Sequence, residues 1–320
     1  MIRCIRIAAF ALAAGLGAHV AAADYPTHAI KWVVPYPPGG TTDVLARIIA
    51  SWLSDKLGQS VVIENKPGGG NNIGVDFVVK SAPDGYTMLL VNPANGINAT
   101  LYKNLTYDFI RDIAPVAGLV RAPNVMEVTP SLPVRTVAEF IDYCKKNPGK
   151  INMASSGSGT SVHMSGELFK SMTGCNMTHV PYKGAGPALT DLMAGQVHVL
   201  FDNLPSSIGF IKGGKLRALA VTSTTRDPSL PDVPVVADTV PGYEATAWFG
   251  IGMPKGTPRD IIDKVNAETN RALSDPKMLE RLAELGGKPI KGTPEDFGKV
   301  IAAETAKWAK VVTFSGAKAE

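Results

Sequence analysis

The sequence is poor in residues that bind metals or carry out covalent chemistry. Its 320 residues include three cysteines and five histidines, and none of these has the spacing of a metal site. The sequence also lacks a P-loop ending in Lys-Ser/Thr and a Gly-x-Ser-x-Gly nucleophile elbow. We therefore expect a protein without a metal, a cofactor or catalytic activity.

The sequence also lacks an apolar run of the roughly 20 residues that a transmembrane helix needs. The chain begins with Arg3 and Arg6, continues with an apolar stretch at residues 7–17, and has small residues up to Ala23. This order predicts a secretory signal peptide over residues 1–23, cleaved near Ala23 and Asp24. We expect an exported protein that is not stably inserted in a membrane.

A strong net charge is absent as well. The sequence has 32 Lys and Arg against 28 Asp and Glu, and two arginines leave with the signal peptide, so no nucleic-acid partner is indicated. Cys4 leaves too. Cys144 and Cys175 remain, either as a disulfide formed in an oxidising compartment or as two buried thiols.

The rest of the chain alternates short β-rich runs with amphipathic stretches, which predicts an α/β fold with a largely parallel sheet. Strands are predicted at residues 31–36, 60–64, 87–91, 125–129, 151–154, 177–180, 197–201 and 218–222. Helices are predicted at residues 44–57, 161–173, 187–194, 259–274, 276–285 and 294–310. The last three helices should pack outside a sheet formed earlier in the chain. With no obvious linker, two domains would exchange chain through segments at residues 117–127 and 236–250, which together form a hinge.

Two loops rich in glycine and hydroxyl groups each join a predicted strand to a predicted helix. The first, PYPPGGTTD, runs from Pro35 to Asp43, and the second, SSGSGTS, runs from Ser155 to Ser161. Glycine allows close backbone approach, and a helix N-terminus offers unpaired amides with partial positive charge. Each loop alone is equally well explained as a capped turn. Because they lie in different predicted lobes at strand ends, the pair predicts a cleft for a small anion.

Other residues allow two interpretations. Asp202 ends a predicted strand and either accepts a hydrogen bond from a ligand or caps the next helix. Tyr36, with Trp248 or Phe249, either forms an apolar wall or belongs to the core. The glycine-rich segment at residues 67–72 either contacts a ligand or leads into a helix.

A secreted hydrolase is the enzymatic alternative, and Ser161 with His163 is its nearest nucleophile and base. Side chains two positions apart on a helix point away from each other, so we expect no catalytic pair there. Asp43 and Arg47 have helical i,i+4 spacing, which predicts an ion pair on the surface or between lobes.

Several motifs, in the order found here, resemble the Bug receptors, the substrate-binding proteins of tripartite tricarboxylate transporters. The first is YPPGGTTDVLAR, from Tyr36 to Arg47. The others are ENKPG at residues 64–68, PDGYT at 83–87, NPGK at 147–150, HVPYKG at 179–184 and LRALAVT at 216–222. The resemblance covers nearly all of the mature chain, and several motifs in order are more specific than any one.

The resemblance implies a periplasmic-binding-protein type II fold, with two α/β lobes, a two-segment hinge and a ligand cleft between the lobes. Lobe 1 is expected at residues 24–124 and 240–320, and lobe 2 at residues 125–239. The implied ligand is a small carboxylate: a dicarboxylate, tricarboxylate, acidic amino acid or aromatic acid. The implied partners are membrane permease subunits, and the implied location is the periplasm. A ligand sensor that partners a sensor kinase would have the same fold and stays an alternative.

The resemblance also implies which residues bind the ligand. In the family, the two strand-to-helix loops hold a carboxylate through backbone amides, hydroxyls and bridging waters, and other residues select the far end of the ligand. The residues expected at the site are Tyr36, Gly39, Gly40, Thr41, Thr42, Ser156, Gly157, Gly159, Thr160, Ser161 and Asp202. Tyr36 replaces the Phe that we expect at its position. The Cys144 and Cys175 pair is not part of the general pattern.

Overall fold

The structure is a computed structural model that describes residues 25–319, so the predicted signal peptide lies outside the described residues. Within this range the fold is α/β. The strands are β1 (Ile30–Val34), β2 (Val61–Asn65), β3 (Thr87–Val91), β4 (Ile113–Val128), β5 (Ile151–Ser155), β6 (Met177–Pro181), β7 (Val199–Asn203), β8 (Arg217–Val221), β9 (Thr246–Pro254) and β10 (Lys288–Pro289). The α-helices are α1 (Thr41–Leu57), α2 (Asn72–Val79), α3 (Pro93–Leu101), α4 (Phe109–Asp112), α5 (Val137–Lys146), α6 (Ser161–Thr173), α7 (Ala185–Met193), α8 (Leu204–Lys212), α9 (Arg259–Ala272), α10 (Pro276–Glu284) and α11 (Pro294–Ser315).

The sheet consists of two groups of strands joined through β4. The strand order is β2-β1-β3-β9-β4-β7-β5-β6, with β8 and β10 also paired to β4. Residues 113–123 of β4 pair with β9, whereas residues 124–128 pair with β7 and β8. The group around β1 forms lobe 1 and the group around β5 forms lobe 2, as the predicted fold requires. The exact lobe boundaries given above stay a prediction.

The chain passes between the lobes where β4 changes its pairing partner, at Pro123 and Asn124, and where β9 begins, at Thr246. Both places lie inside the predicted crossing segments, but the sequence did not predict that long strands run through them. Pro and Gly in β4 argue against a central strand. The structure accommodates them with irregularities of register between Pro115 and Ala117 and between Gly118 and Val120.

The helices confirm most of the predicted pattern. In α1, Leu45, Ile49 and Leu53 are buried at four-residue spacing, and Gly58 ends the helix with a φ of 74°. The three C-terminal helices pack outside the earlier sheet, as predicted. The last of them, α11, buries Trp308 in the core of lobe 2. None of the helices within residues 25–319 has the length and apolarity to cross a bilayer.

Candidate ligand-binding site

The N-termini of five helices line one pocket between the lobes. Gly40 precedes α1, Asn92 precedes α3, Thr160 precedes α6, Asn203 precedes α8, and Ala185 begins α7. The remaining lining residues are Tyr36, Thr41, Thr42, Pro93, Ser156, Ser161 and Phe249. None of these lining residues, all within the described chain, is Lys or Arg. Since a helix N-terminus carries about half a positive charge, the pocket is electropositive without a cation.

The first loop, residues 35–43, leaves three backbone amides available to a ligand. Gly40, Thr41 and Thr42 line the pocket, and no hydrogen bond within residues 25–319 uses their N–H groups. The Thr42 hydroxyl has no partner there either, whereas the Thr41 hydroxyl donates to Ser206 Oγ across the cleft at 3.0 Å. The first loop therefore contributes amides and one free hydroxyl.

A carboxylate on the outer side holds this loop in place. Asp43 Oδ2 accepts hydrogen bonds from the Gly39 amide at 3.1 Å and from Arg47 Nε at 2.9 Å, and Asn65 donates to Oδ1 at 3.1 Å. Burial opposes ionisation of Asp43, but these hydrogen bonds outweigh it and lower the pKa of its carboxyl. The Asp43 and Arg47 ion pair predicted from their spacing is confirmed.

The second loop, residues 155–161, offers fewer free amides. Within the described chain no hydrogen bond uses the N–H groups of Ser156 and Ser161 or the Ser156 hydroxyl. Ser161 Oγ accepts from Asn203 Nδ2 at 3.2 Å, so its own hydrogen stays available. Like the first loop, the second therefore presents both N–H and O–H donors to the pocket.

The other groups of the second loop are used internally. The Gly157 amide donates to Ser155 Oγ at 3.2 Å, and the Gly159 amide donates to His163 Nδ1 at 3.2 Å. The Thr160 hydroxyl accepts from the His163 amide at 3.1 Å and donates to the Gly157 carbonyl at 2.7 Å. Burial, the neighbouring His179 and Lys170 lower the pKa of His163 to about 3. His163 is therefore a neutral acceptor that fixes the loop.

Asp202 lies behind the pocket wall. Its side chain is fully buried and accepts hydrogen bonds from Ser206 and, at 2.8 Å, from Ser207. Ser207 Oγ also lies 2.6 Å from Glu127 Oε1, which is equally buried. Because Ser207 has one hydrogen to donate, its two carboxyl contacts require a proton on Glu127 or Asp202. A chain of hydrogen bonds thus runs from Thr41 through Ser206 to this buried acid pair.

The pKa values of the two buried carboxyl groups agree with a proton on Glu127 or Asp202. Burial and the nearby Asp202 raise the pKa of Glu127 well above its usual value. Burial raises the pKa of Asp202 to about 6, although hydrogen bonds from Ser206 and Ser207 oppose the change. Asp202 itself does not line the pocket and is linked to it through Ser206 and through the backbone of Asn203.

Asn92 is a pocket residue that the sequence reasoning missed. Its Oδ1 accepts from the Ala94 amide at 3.0 Å and from the Tyr36 hydroxyl at 3.4 Å. Its Nδ2 is buried and has no partner within the described chain, although the residue lines the pocket. An unpaired buried donor costs about 1–3 kcal/mol, which a ligand acceptor would offset. The Asn-Pro pair directly after β3 was the available signal.

The pocket contains seven of the eleven residues predicted for the site. Four do not line it: Gly39, Gly157, Gly159 and Asp202. The three glycines have left-handed backbone angles and shape the loops instead. Phe249 provides part of the wall, whereas Trp248 packs on Phe297 in the core.

A neighbouring cavity shares Tyr36 and Ser156 with the pocket and is lined by the third glycine-rich segment, Gly68, Gly69, Gly70 and Asn71. The two cavities therefore meet at Tyr36. The structure thus brings this third glycine-rich segment to the cleft as well.

The predicted absence of a Ser161 and His163 pair agrees with the contacts of both residues, because Ser161 bonds Asn203 and His163 bonds the Gly159 amide. A second serine and histidine do meet: Ser155 Oγ lies 2.6 Å from His179 Nε2. Ser155 is fully buried and does not line the pocket. No group of three or more His, Cys, Asp or Glu that could hold a metal occurs within residues 25–319.

Comparisons with known proteins agree on one family. Protein BugT of Bordetella pertussis is 39% identical over 315 residues, which cover 98% of this chain and 97% of BugT. The structure of Rpa4515 of R. palustris with adipate has a TM-score of 0.90 and 41% identity, covering 92% of this chain and 100% of that one. MatC of Rhodopseudomonas palustris with bound malate has a TM-score of 0.87 and 32% identity, covering 90% and 100% of the two chains.

The fold is therefore that of periplasmic solute-binding proteins. The family profile of the tripartite tricarboxylate transporter family receptor matches residues 45–316, which include all of the pocket except its first-loop residues. The members of this family are receptors for solutes. With a profile match over most of its length and relatives similar over nearly all of it, the chain belongs to the tripartite tricarboxylate transporter receptor family.

Proposed function

We propose that this protein is a periplasmic receptor that captures a small carboxylate between its lobes and delivers it to membrane permease subunits of a tripartite tricarboxylate transporter. One observation carries the proposal: five helix N-termini and several unpaired donors line one pocket that contains no Lys or Arg. Relatives of similar structure hold adipate and malate, which are dicarboxylates. No step requires catalysis.

The free donors come from both lobes and outnumber the acceptor positions of one carboxylate group. The amides of Gly40, Thr41 and Thr42 come from lobe 1, and those of Ser156 and Ser161 come from lobe 2. A carboxylate has about four acceptor positions, so it can bond donors from both lobes at once. Hydrogen bonds to a charged acceptor contribute about 1.5–3 kcal/mol each. A carboxylate would therefore stabilise the closed arrangement of the lobes.

The lobes already touch around the pocket, as closure requires. Thr41 of lobe 1 donates to Ser206 of lobe 2, and a Cβ on Gly40 would lie 3.5 Å from Ala185 Cβ. A ligand that binds only when the lobes meet shifts the population toward this state, and a few kcal/mol suffice. We propose that the closed surface is what the permease recognises.

The direct test is calorimetric titration of the mature protein with adipate and malate, each against its uncharged diamide. Because the pocket offers donors and partial positive charge, we expect each acid to bind at least 100-fold more tightly than its amide. Equal affinity of acid and amide, or binding of sugars or amines in place of acids, would refute the carboxylate assignment.

A matched pair of variants locates the binding. Asn92→Asp keeps the oxygen that accepts from Ala94 and Tyr36 but replaces the free Nδ2 with an acceptor, so it should abolish acid binding. Asn95→Asp is the control, because Asn95 is also buried on α3 with an unpaired Nδ2 but does not line the pocket. It should lower the melting temperature similarly and leave acid affinity within about fivefold of wild type. Equal affinity losses in both variants would place the ligand elsewhere.

A further inference from the structure

The two cysteines that follow the predicted signal peptide lie at the same end of the lobe 2 core. Cys144 belongs to the last turn of α5, and Cys175 follows Gly174, which ends α6 with a φ of 72°. Both side chains are buried in one hydrophobic cluster, with exposed fractions of 0% and 3%. The fold thus brings together two thiols that are far apart in sequence.

Their contacts show that the two thiols are neighbours. Cys144 Sγ lies 3.8 Å from the carbonyl oxygen of Asn176, the residue after Cys175, and the Gly149 amide donates to the same oxygen at 3.2 Å. The Cys144 thiol and the Cys175 sulfur are also close enough to affect each other's ionisation. This contact raises the pKa of Cys144 and lowers the pKa of Cys175 to about 7.

We propose that Cys144 and Cys175 are a modification site, at which a disulfide forms when the chain is exported. Three observations support it. The two thiols are buried in one hydrophobic cluster, with Cys144 Sγ 3.8 Å from the carbonyl oxygen of the residue after Cys175. No third cysteine lies within residues 25–319, and the predicted signal peptide directs the chain to an oxidising compartment. The proposal rests on export, which belongs to the proposed function. It does not depend on the ligand.

The reaction needs a disulfide oxidant, and its electrons and protons balance. The Cys175 thiolate attacks a disulfide of a thiol–disulfide oxidoreductase, forming a mixed disulfide and expelling one thiolate of the oxidant. The Cys144 thiolate then attacks Cys175 Sγ, which forms the Cys144–Cys175 disulfide and expels the second thiolate of the oxidant. The protein loses two protons and two electrons, and the oxidant becomes a dithiol. Since both residues are buried after folding, the exchange takes place before the lobe 2 core closes.

The bond would connect the two ends of the segment that carries the second binding loop. Residues 145–174 include β5, the loop at residues 155–161 and α6. Closing a loop of roughly 30 residues reduces the freedom of the unfolded chain and so stabilises the fold. The disulfide would thus hold the lobe 2 half of the pocket together, far from the ligand itself.

The test is intact-mass analysis of the exported, purified protein after alkylation under denaturing conditions. Without reductant, wild type should take up no alkyl group, and with reductant it should take up two. Cys144→Ser and Cys175→Ser should each take up one in both conditions. Two alkyl groups on wild type without reductant would overturn the proposal. The same mass spectrum shows whether residues 1–23 have been removed, which separates a failure of export from a failure of the disulfide.

Thermal unfolding gives a second readout. Reductant should lower the melting temperature of wild type by about 5–10 °C. The double variant Cys144→Ser/Cys175→Ser should show no response to reductant, and its acid affinity should stay within about twofold of wild type. A wild-type melting temperature that reductant leaves unchanged contradicts the stabilising role.

Discussion

The two loops that meet at the pocket are held in place by opposite kinds of chemistry. An ionised carboxylate holds the first loop, since Asp43 accepts from the Gly39 amide and from Arg47. A neutral imidazole holds the second, since His163 accepts from the Gly159 amide and is buried against His179. Both supports are buried, but Asp43 pairs with Arg47, whose side chain is 54% exposed, whereas His163 lies inside lobe 2.

This difference shows why the loops are not equivalent although their sequences look alike. In the first loop, the support uses one amide and leaves three for the ligand. In the second, the amides of Gly157 and Gly159 are used internally, and hydroxyls supply part of the missing donors. A neutral support also avoids placing a second full charge beside an anionic ligand in a buried site. Variants of either loop can test this comparison.

Among the variants that test this comparison of the loops, the largest effect should come from Gly159→Ala. A Cβ at Gly159 would lie 2.1 Å from Asn98 Oδ1 and 3.0 Å from Leu101, both on α3 of lobe 1, so the lobes could not close fully. We expect adipate affinity to fall about 100-fold. Gly39→Ala is the matched control, because Gly39 has a similar φ of 89° but no atom within 4 Å of the added Cβ. Adipate affinity in Gly39→Ala should fall about tenfold or less. Equal losses would remove the distinction between the loops.

The support of the second loop predicts a pH-dependent stability. The folded-state pKa of His163 is lowered to about 3, so between about pH 3 and 6.5 the unfolded state binds more protons. The contribution of neutral His163 to the free energy of unfolding is complete above about pH 6.5 and is lost as the pH falls. From pH 7 to pH 5, His163 should cost about 2 kcal/mol of unfolding free energy. Denaturant unfolding of His163→Gln should show a correspondingly smaller decrease. The same pH slope in both proteins would mean that His163 is not the neutral acceptor described.

The support of the first loop should have a smaller effect. Asp43→Ala leaves the Gly39 amide and Arg47 without their acceptor, and we expect about a tenfold loss of adipate affinity. Asp55→Ala on the exposed side of the same helix is the control and should change neither affinity nor stability measurably. Because the pKa of Asp43 is lowered, its contribution should persist above about pH 4 and disappear only in more acidic solution. Wild-type affinity in Asp43→Ala would show that the loop needs no such support.

The smallest effect concerns ligand choice. The family resemblance implied that Asp202 lies where the far end of the ligand is selected, but Asp202 does not line the pocket and is linked to it through Ser206 and Asn203. We expect Asp202→Ala to weaken adipate and malate together and to change their affinity ratio by less than about twofold. Titration of both acids against both proteins measures this ratio. A reversal of the preference would restore Asp202 as a residue that selects the ligand.

The sequence predicted the α/β fold, most strands and the two loops because these depend on local patterns. Regular spacing of apolar residues located α1, and Gly58 located its end. It did not predict most of β4, because Pro115, Gly118 and Pro123 argue locally against a strand that only tertiary pairing stabilises. It also missed β9, in which Gly250 and Gly252 weaken the local strand pattern.

Within the site, the sequence could show that Gly39, Gly157 and Gly159 were needed but not why. Their conformation follows from residue type, whereas the partner of each amide follows from three-dimensional contacts. Asn92 was missed because a single Asn after a strand resembles any helix cap. Its unpaired Nδ2 becomes visible only when the surrounding atoms are in place.

The central claim is that free amides at helix N-termini, and no cation, hold the ligand carboxylate. A crystal structure of the mature protein with adipate tests it most directly. We predict one carboxylate within about 3 Å of the amides of Gly40 or Thr41 in lobe 1 and of Ser161 in lobe 2, directly or through one water. Adipate bound mainly to Lys or Arg side chains would contradict the account. So would adipate bound anywhere outside the pocket that Asn92 lines.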